Sequence, residues 1–196
     1  MIYTLEGKLA IKSNSFVVIE IGGIGYRVFV PEHVSEELPA PDEIIKLFCH
    51  YHGREDGVAL FGFLAERELK LFDMLISISG IGPKSALGIL NIAALDNILA
   101  AIKEGRAELL TKASGVGRKT AERIILELRG KVQVIESSKI VKAIESDSDI
   151  EEALVNLGYQ RSQIRDVLKK MDTTVSGLEQ RLKAALKILK EDKTAK

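Results

Sequence analysis

Cysteine occurs once in these 196 residues, histidine three times, and the 28 Lys and Arg are cancelled by 28 Asp and Glu, for a formal net charge of zero. Each shortage closes off a class of protein. A single cysteine, Cys49, allows no internal disulfide, which excludes disulfide-stapled extracellular scaffolds and fits a reducing, cytoplasmic setting. It falls in an apolar strand pattern and is read as a core residue. No apolar run approaches the roughly 20 residues that span a bilayer. Met1 leads directly into Tyr3-Thr4-Leu5-Glu6, without the basic and apolar segments of a secretory signal, so neither membrane nor export is expected. His50 and His52 share a strand face, but with no Cys or further carboxylate at ligand spacing they are read as solvated strand histidines, and no metal is expected. Lack of surplus positive charge argues against a nucleic-acid binder that works by long-range attraction. What is plentiful is apolar: 46% of the chain is hydrophobic, enough for folded domains.

Charge is neutral in sum and segregated along the chain. Residues 1–63 carry five Lys and Arg against nine Asp and Glu, residues 64–144 thirteen against nine, and residues 145–196 ten of each. The positive central segment also contains a repeat. Ser79-Gly80-Ile81-Gly82-Pro83-Lys84 returns 35 positions later as Ser114-Gly115-Val116-Gly117-Arg118-Lys119, and the match continues from Ala86, Ile89 and Leu90 to Ala121, Ile124 and Ile125. In both copies a helical stretch ends in Gly-x-Gly and a new helix starts with a cation in its first turn. The first N–H groups of a helix lack internal partners and carry partial positive charge, so such a turn suits a phosphate oxygen. A single copy could be no more than the corner of a helical hairpin. Two copies with Lys at the same offset favour phosphate binding. The backbone-binding set is then Gly80, Gly82, Lys84, Gly115, Gly117, Arg118, Lys119 and Arg123.

Nucleotide cofactors are excluded by spacing. A P-loop needs glycine immediately before its Lys and again five residues earlier, where this chain has Arg118 and Ala113. Gly80-Ile81-Gly82 lacks the third glycine and the preceding strand of a dinucleotide site. No ATP or NAD site, and no other cofactor, is expected.

The periodicities predict a multidomain α+β chain. Alternation through Tyr3, Leu5, Gly7, Leu9 and Ile11, β-branched runs at 16–21 and 26–30, and a period-2 face at Ile45, Leu47, Cys49 and Tyr51 indicate a small OB-like β-barrel over residues 1–63. Asp56-Gly57 signals a hairpin, which accounts for Asp56 and leaves Glu55 open. Residues 64–131 read as a tandem helix-hairpin-helix domain whose two turns lie on one edge about a pseudo-two-fold axis. Residues 132–147 read as a linker, partly apolar and in part helical. Ser148-Asp149-Ile150-Glu151 and Ser176-Gly177-Leu178-Glu179 read as capping boxes in a three-helix module over 148–196 suited to docking a partner.

Several of these stretches together resemble the RuvA family of Holliday-junction-binding subunits: Met1-Ile2-Tyr3, Gly22-Gly23-Ile24-Gly25-Tyr26, Arg54-Glu55-Asp56, Leu60-Phe61-Gly62-Phe63, both Gly-x-Gly turns, and Ala153-Leu154-Val155-Asn156-Leu157-Gly158-Tyr159. The resemblance implies a non-catalytic subunit that binds four-way junctions without sequence specificity and serves DNA recombination and repair. It implies a homotetramer, with an octamer as two tetramers on one junction, and Glu55 and Asp56 as an acidic pin at the crossover. The C-terminal module, UBA-like in this family, would dock the hexameric ATPase RuvB near Leu157, Gly158 and Tyr159, and the resolvase RuvC is a further partner. The competing expectation is a helix-hairpin-helix nuclease or lyase, for which Glu55-Asp56 is the one exposed acidic pair at hand.

Overall fold

A computed structural model describes residues 2–54, 57–134, 137–171 and 178–194. The chain forms two compact units, residues 1–137 and 138–196. The barrel and the tandem hairpins, separate segments in the sequence reading, belong to the first.

Five strands close into a barrel: β1 (Thr4–Lys12), β2 (Phe16–Ile21), β3 (Ile24–Phe29), β4 (Ile44–Arg54) and β5 (Gly57–Phe63). Their order around it is β1-β2-β3-β5-β4, with β1 also paired to β4 and a short parallel contact between β3 and β5. This is an OB-type barrel. Leu5, Leu9, Val17, Ile19, Val28, Leu47 and Cys49 fill it, as period-2 alternation requires. Burial pushes the Cys49 thiol up to about 11, so it stays a neutral core group. Gly7 is sterically fixed, since a Cβ there would stand 2.5 Å from the Glu20 carbonyl oxygen.

Three features depart from the sequence reading of this half. Ile11, counted with the inward face, is 51% exposed, because the β1–β2 register slips between Leu9 and Ile11 and a bulge turns the strand over. A short helix, α1 (Glu32–Glu37), sits between β3 and β4; six residues with no side-chain cap leave little periodicity to read. His50 is not a solvated strand histidine. Its Nδ1 lies 2.7 Å from Asp73 Oδ1, and its ring stands 5.4 Å from the Phe72 ring, because a helix covers this face of the barrel.

That helix is α2 (Glu66–Ile76). It is followed by α3 (Pro83–Leu90), α4 (Leu95–Glu104), α5 (Ala107–Leu110) and α6 (Arg118–Leu128). Leu69, Leu71, Phe72 and Leu75 on α2 meet Phe61 and Phe63 of β5, so barrel and hairpins share one core. Phe72 stands 5.2 Å from the Phe61 ring and 5.1 Å from the Phe63 ring. Glu68, also on α2, takes a 2.7 Å contact from His33 Nε2 of α1. Helix α4 ends at Gly105 in the left-handed region, where Arg106 N–H donates to the Ala101 carbonyl at 2.8 Å.

The second unit contains α7 (Ser137–Asn156), α8 (Arg161–Lys170) and α9 (Leu178–Thr194), closed around Ile150, Leu154, Ile164, Val167, Met171, Ala185 and Leu189. Helix α7 starts eleven residues before Ser148. The expected capping box there lies inside a helix: Ile140, Val141 and Ile144 already have helical spacing, so the helix is under way before Ser148. The expected cap at Ser176 lies outside the described residues.

Candidate nucleic-acid interface

The two turns close with the same hydrogen bonds. Ile81 N–H donates to the Ile78 carbonyl and Val116 N–H to the Ala113 carbonyl, each at 3.1 Å. The first helical bonds also correspond: Ala86 N–H to the Gly82 carbonyl at 3.0 Å, and Ala121 N–H to the Gly117 carbonyl at 2.9 Å. The residue between the glycines, Ile81 or Val116, is buried and pins the loop to the core. The first glycines, Gly80 and Gly115, have φ of +90° and +79°, where a side chain costs about 1–2 kcal/mol.

The second glycines have no such internal reason. Gly82 has φ −92° and Gly117 φ −80°, both with ψ 170°, which any L-residue can adopt. A Cβ built at either position meets no described atom within 4 Å. Neither backbone conformation nor packing calls for glycine here, in either copy. Both are N-cap residues, where glycine is accepted but Ser, Asn or Asp would cap better, and a group from outside that must come close to the main chain accounts for glycine over them. The amides that begin α3 and α6 open at the same points and favour an anion.

The cations are arranged unequally. Lys84 and Lys119 are exposed and form no ion pair among the described residues. Arg118 meets Glu122 at 3.1 Å, with side chains 86% and 56% exposed; such a surface pair is worth at most about 1 kcal/mol and leaves Arg118 able to turn to a phosphate. Arg123 behaves differently from the sequence reading. Its Nη1 donates to the Ser79 carbonyl at 2.7 Å, so one guanidinium nitrogen is committed to holding the first turn. The opposite contact exists too. Gly88 lies 35 positions before Arg123, and a Cβ there would be 3.3 Å from the carbonyl of Ser114, itself 35 positions after Ser79. Each hairpin's second helix thus lies against the other hairpin's turn, as a pseudo-two-fold requires.

Beside the first turn is a cavity of about 490 Å³ walled by Phe29, His52 and Phe61 from the barrel and rimmed by Pro83, Lys84 and Ser85 of α3. Glu55 and Asp56 lie outside the described residues; the β4–β5 ladder is in register up to the pair Arg54 and Gly57 that flanks them. In the second unit, Gly158 has φ +88° and stops α7: its N–H bonds the Val155 carbonyl at 2.9 Å and the Tyr159 N–H bonds the Leu154 carbonyl at 3.1 Å. This is a Schellman cap, so Gly158 has a backbone role. Leu157 beside it is 62% exposed, while Tyr159 packs against the unit's core.

Among the described residues no group of three or more His, Cys, Asp and Glu is placed to hold a metal ion, and no single helix is long and apolar enough to cross a membrane.

Comparison with known families matches residues 1–62 to the RuvA N-terminal domain, 72–131 to a SAM-like helix-hairpin-helix tandem and 136–190 to the RuvA C-terminal domain. The subunit RuvA of the Holliday junction branch migration complex from Syntrophotalea carbinolica is 43% identical, over 96% of this chain and 99% of its own length. The chain belongs to the RuvA family. The subunit of the same name from Geobacter sulfurreducens is 39% identical over the same shares, and that from Chlorobaculum parvum 42% identical over 89% of this chain and 90% of its own. RuvA similarity therefore extends from the barrel through the hairpins to the C-terminal helices.

Proposed function

We propose that this chain is a non-catalytic, structure-specific DNA-binding subunit that recognises Holliday junctions and brings a branch-migration motor to them in recombination and repair. The observation that carries the reading is the pair Gly82 and Gly117, glycines that the fold itself does not need, at the start of two helices with cations at the same offset. Gly80, Gly82 and Lys84 hold one stretch of DNA backbone, and Gly115, Gly117, Arg118 and Lys119 hold the other. Arg123 holds the two turns in register, with its remaining donors free for a phosphate. Backbone contacts of this kind carry no base information, so specificity comes from the geometry of the junction.

A neutral subunit with few contacts per arm binds weakly by itself. Assembly as a homotetramer makes the contacts to four arms effectively intramolecular, which raises binding by roughly 10² to 10⁴. Ile11, Ile24 and Ile44 on the barrel are 51–69% exposed, apolar surface of the sort that subunit contacts cover. Two tetramers on one junction make the octamer. Glu55 and Asp56 are the acidic pin at the crossover, where their charge opposes strand phosphates. The second unit docks the hexameric ATPase RuvB through the surface around Leu157, RuvC is a further partner, and the protein works in the cytoplasm without a cofactor. The names of the relatives give the nuclease or lyase alternative no support.

The test is a gel-shift comparison of a four-way junction with linear duplex of the same arm sequence, using the chain and its Gly82→Ala, Gly117→Ala double variant. Wild type should prefer the junction. The variant should keep its circular dichroism and melting temperature, because both positions are open and extended, yet lose affinity. Displacing a phosphate from a charge-assisted amide contact costs about 1.5–3 kcal/mol, roughly 10- to 150-fold per site. Equal affinity for junction and duplex refutes the reading.

A further inference from the structure

We propose that the cavity between the barrel and the first hairpin is a binding site for one unpaired nucleotide, its base against Phe29, His52 and Phe61 and its phosphate at Lys84. The site rests on the backbone-binding reading of the first turn and extends it from phosphate to base.

Three properties of the cavity point to that ligand class. Its volume, about 490 Å³, falls in the ~300–1,000 Å³ range of pockets that enclose small organic ligands. Rings form part of its wall, beside Val58 and Ala59: Phe29 and Phe61 stand 5.7 Å apart at a 30° tilt, and His52 meets Phe61 edge-on at 6.2 Å. Flat π surfaces stack on any base without reading its identity, as expected of a protein indifferent to sequence. Its rim is polar on one side only, where Lys84 and Ser85 begin α3, so charge and ring surface are offset as phosphate and base are in a nucleotide. The mouth is open, since a Cβ at Gly57 or Gly82 meets no described atom within 4 Å.

A base inside a duplex cannot enter, because its edge is paired and both faces are stacked. The occupant is a nucleotide whose pairing has been given up, the species that exists where strands exchange partners. The second hairpin differs at this point: its Arg118 occupies the position of Pro83 and is exposed to solvent, whereas Pro83 is buried on the cavity rim. The first turn is thereby suited to hold a phosphate together with its own base, and the second to hold phosphate alone.

The experiment measures fluorescence anisotropy of the full-length chain with an end-labelled oligothymidylate and with a strand of equal length and phosphate number made of abasic sites. The expected result is at least about 5-fold tighter binding of the thymidine strand, the lower end of base-on-aromatic stacking. Ala59→Leu, an aliphatic filler of the half-buried wall, and His52→Leu, which removes one ring, should each reduce that ratio toward one. Either variant that keeps the wild-type circular dichroism serves, and the wild-type ratio decides alone if both misfold. Equal binding of the two strands by wild type overturns the proposal, as does a base preference that survives in a folded variant. A four-way junction run against duplex in the same assay reads the underlying function separately: junction preference without base preference removes the pocket and keeps the function.

Discussion

The first hairpin starts its second helix with Pro83 and one cation, Lys84; the second starts its own with Arg118 and Lys119 and adds Arg123 a turn later. The hydrogen bonds that close the turns agree to within 0.1 Å, and the left-handed glycines agree to within about ten degrees. Duplication has kept the backbone and let the side chains part. Pro83 supplies no N–H, so α3 offers one donor fewer than α6. It gains in exchange a buried seat against the barrel, beside the aromatic cavity. The shared features account for a grip on phosphate, and the differing ones specify what lies beside the grip: a barrel wall and the tethered Arg123 for the first copy, open solvent and the exposed Arg118 for the second.

The largest expected effect comes from removing the shared part. Lys84→Ala with Lys119→Ala takes away one cation from each turn and should lower junction affinity by about two orders of magnitude at low salt, with the slope of log affinity against log salt falling by nearly 2 per subunit. The single variants sharpen the contrast. Arg123, the other cation at the first turn, is held by the Ser79 carbonyl, whereas Arg118 beside Lys119 can turn to a phosphate, so Lys84→Ala should weaken binding more than Lys119→Ala in a titration across salt concentrations. Equal losses would mean that the extra cation of the second turn does not reach DNA.

A smaller effect is expected where the two copies touch. Arg123→Gln removes the bond to the Ser79 carbonyl and should lower stability by about 0.5–1.5 kcal/mol in urea unfolding, with the midpoint moving at constant slope. Arg123→Lys separates the two roles of this side chain. The ammonium retains charge for a phosphate but cannot reproduce the planar fork. If the brace dominates, Arg123→Lys loses stability like the Gln variant and keeps most junction affinity. A lysine variant with native stability and reduced affinity would show that Arg123 acts mainly at the DNA.

The parts of this arrangement visible in the sequence are those where one residue's chemistry forces one geometry. Gly80 and Gly115 mark left-handed corners, and their 35-residue spacing exposes the duplication before any coordinates exist. Barrel strands show because inward residues recur every second position, up to the bulge after Leu9, where one extra residue inverts the pattern and Ile11 turns outward. Long-range contacts leave no such trace. Nothing local to His50 announces that Asp73, 23 residues on, will cover it, and nothing local to Arg123 announces the Ser79 carbonyl. The cavity is the extreme case, since its walls come from β3, β4, β5 and α3, and no window of sequence contains them all. Helix α7 was obscured for another reason: Ser148 has the form of a cap, and the apolar residues before it lie on a different helix face from Ile150 and Leu154.

The smallest effect concerns a contact that only the first copy has. His33 on α1 joins Glu68 on α2, the helix that leads into the first turn, and among the described residues the second turn has no matching tie to the barrel. Its hydrogen bond with Glu68 holds the His33 pKa above the ordinary value of 6.5; burial opposes this, and the charges of Glu68, Glu37 and Glu36 assist. A raised folded-state pKa means that the folded protein binds the proton more tightly than the unfolded chain. The stabilisation is therefore complete below pH 6.5 and is lost as pH rises through the folded value. The His33 side chain is 35% exposed, so solvent screening keeps the contribution under about 1 kcal/mol. Wild-type stability relative to His33→Gln should be greatest below about pH 6.5 and fall as pH rises through the folded-state value of His33. Junction affinity measured over the same range ties this contact to function. If the barrel positions the first turn through His33 and Glu68, Lys84→Ala should cost less at the alkaline end than at the acid end, while Lys119→Ala should cost the same at both.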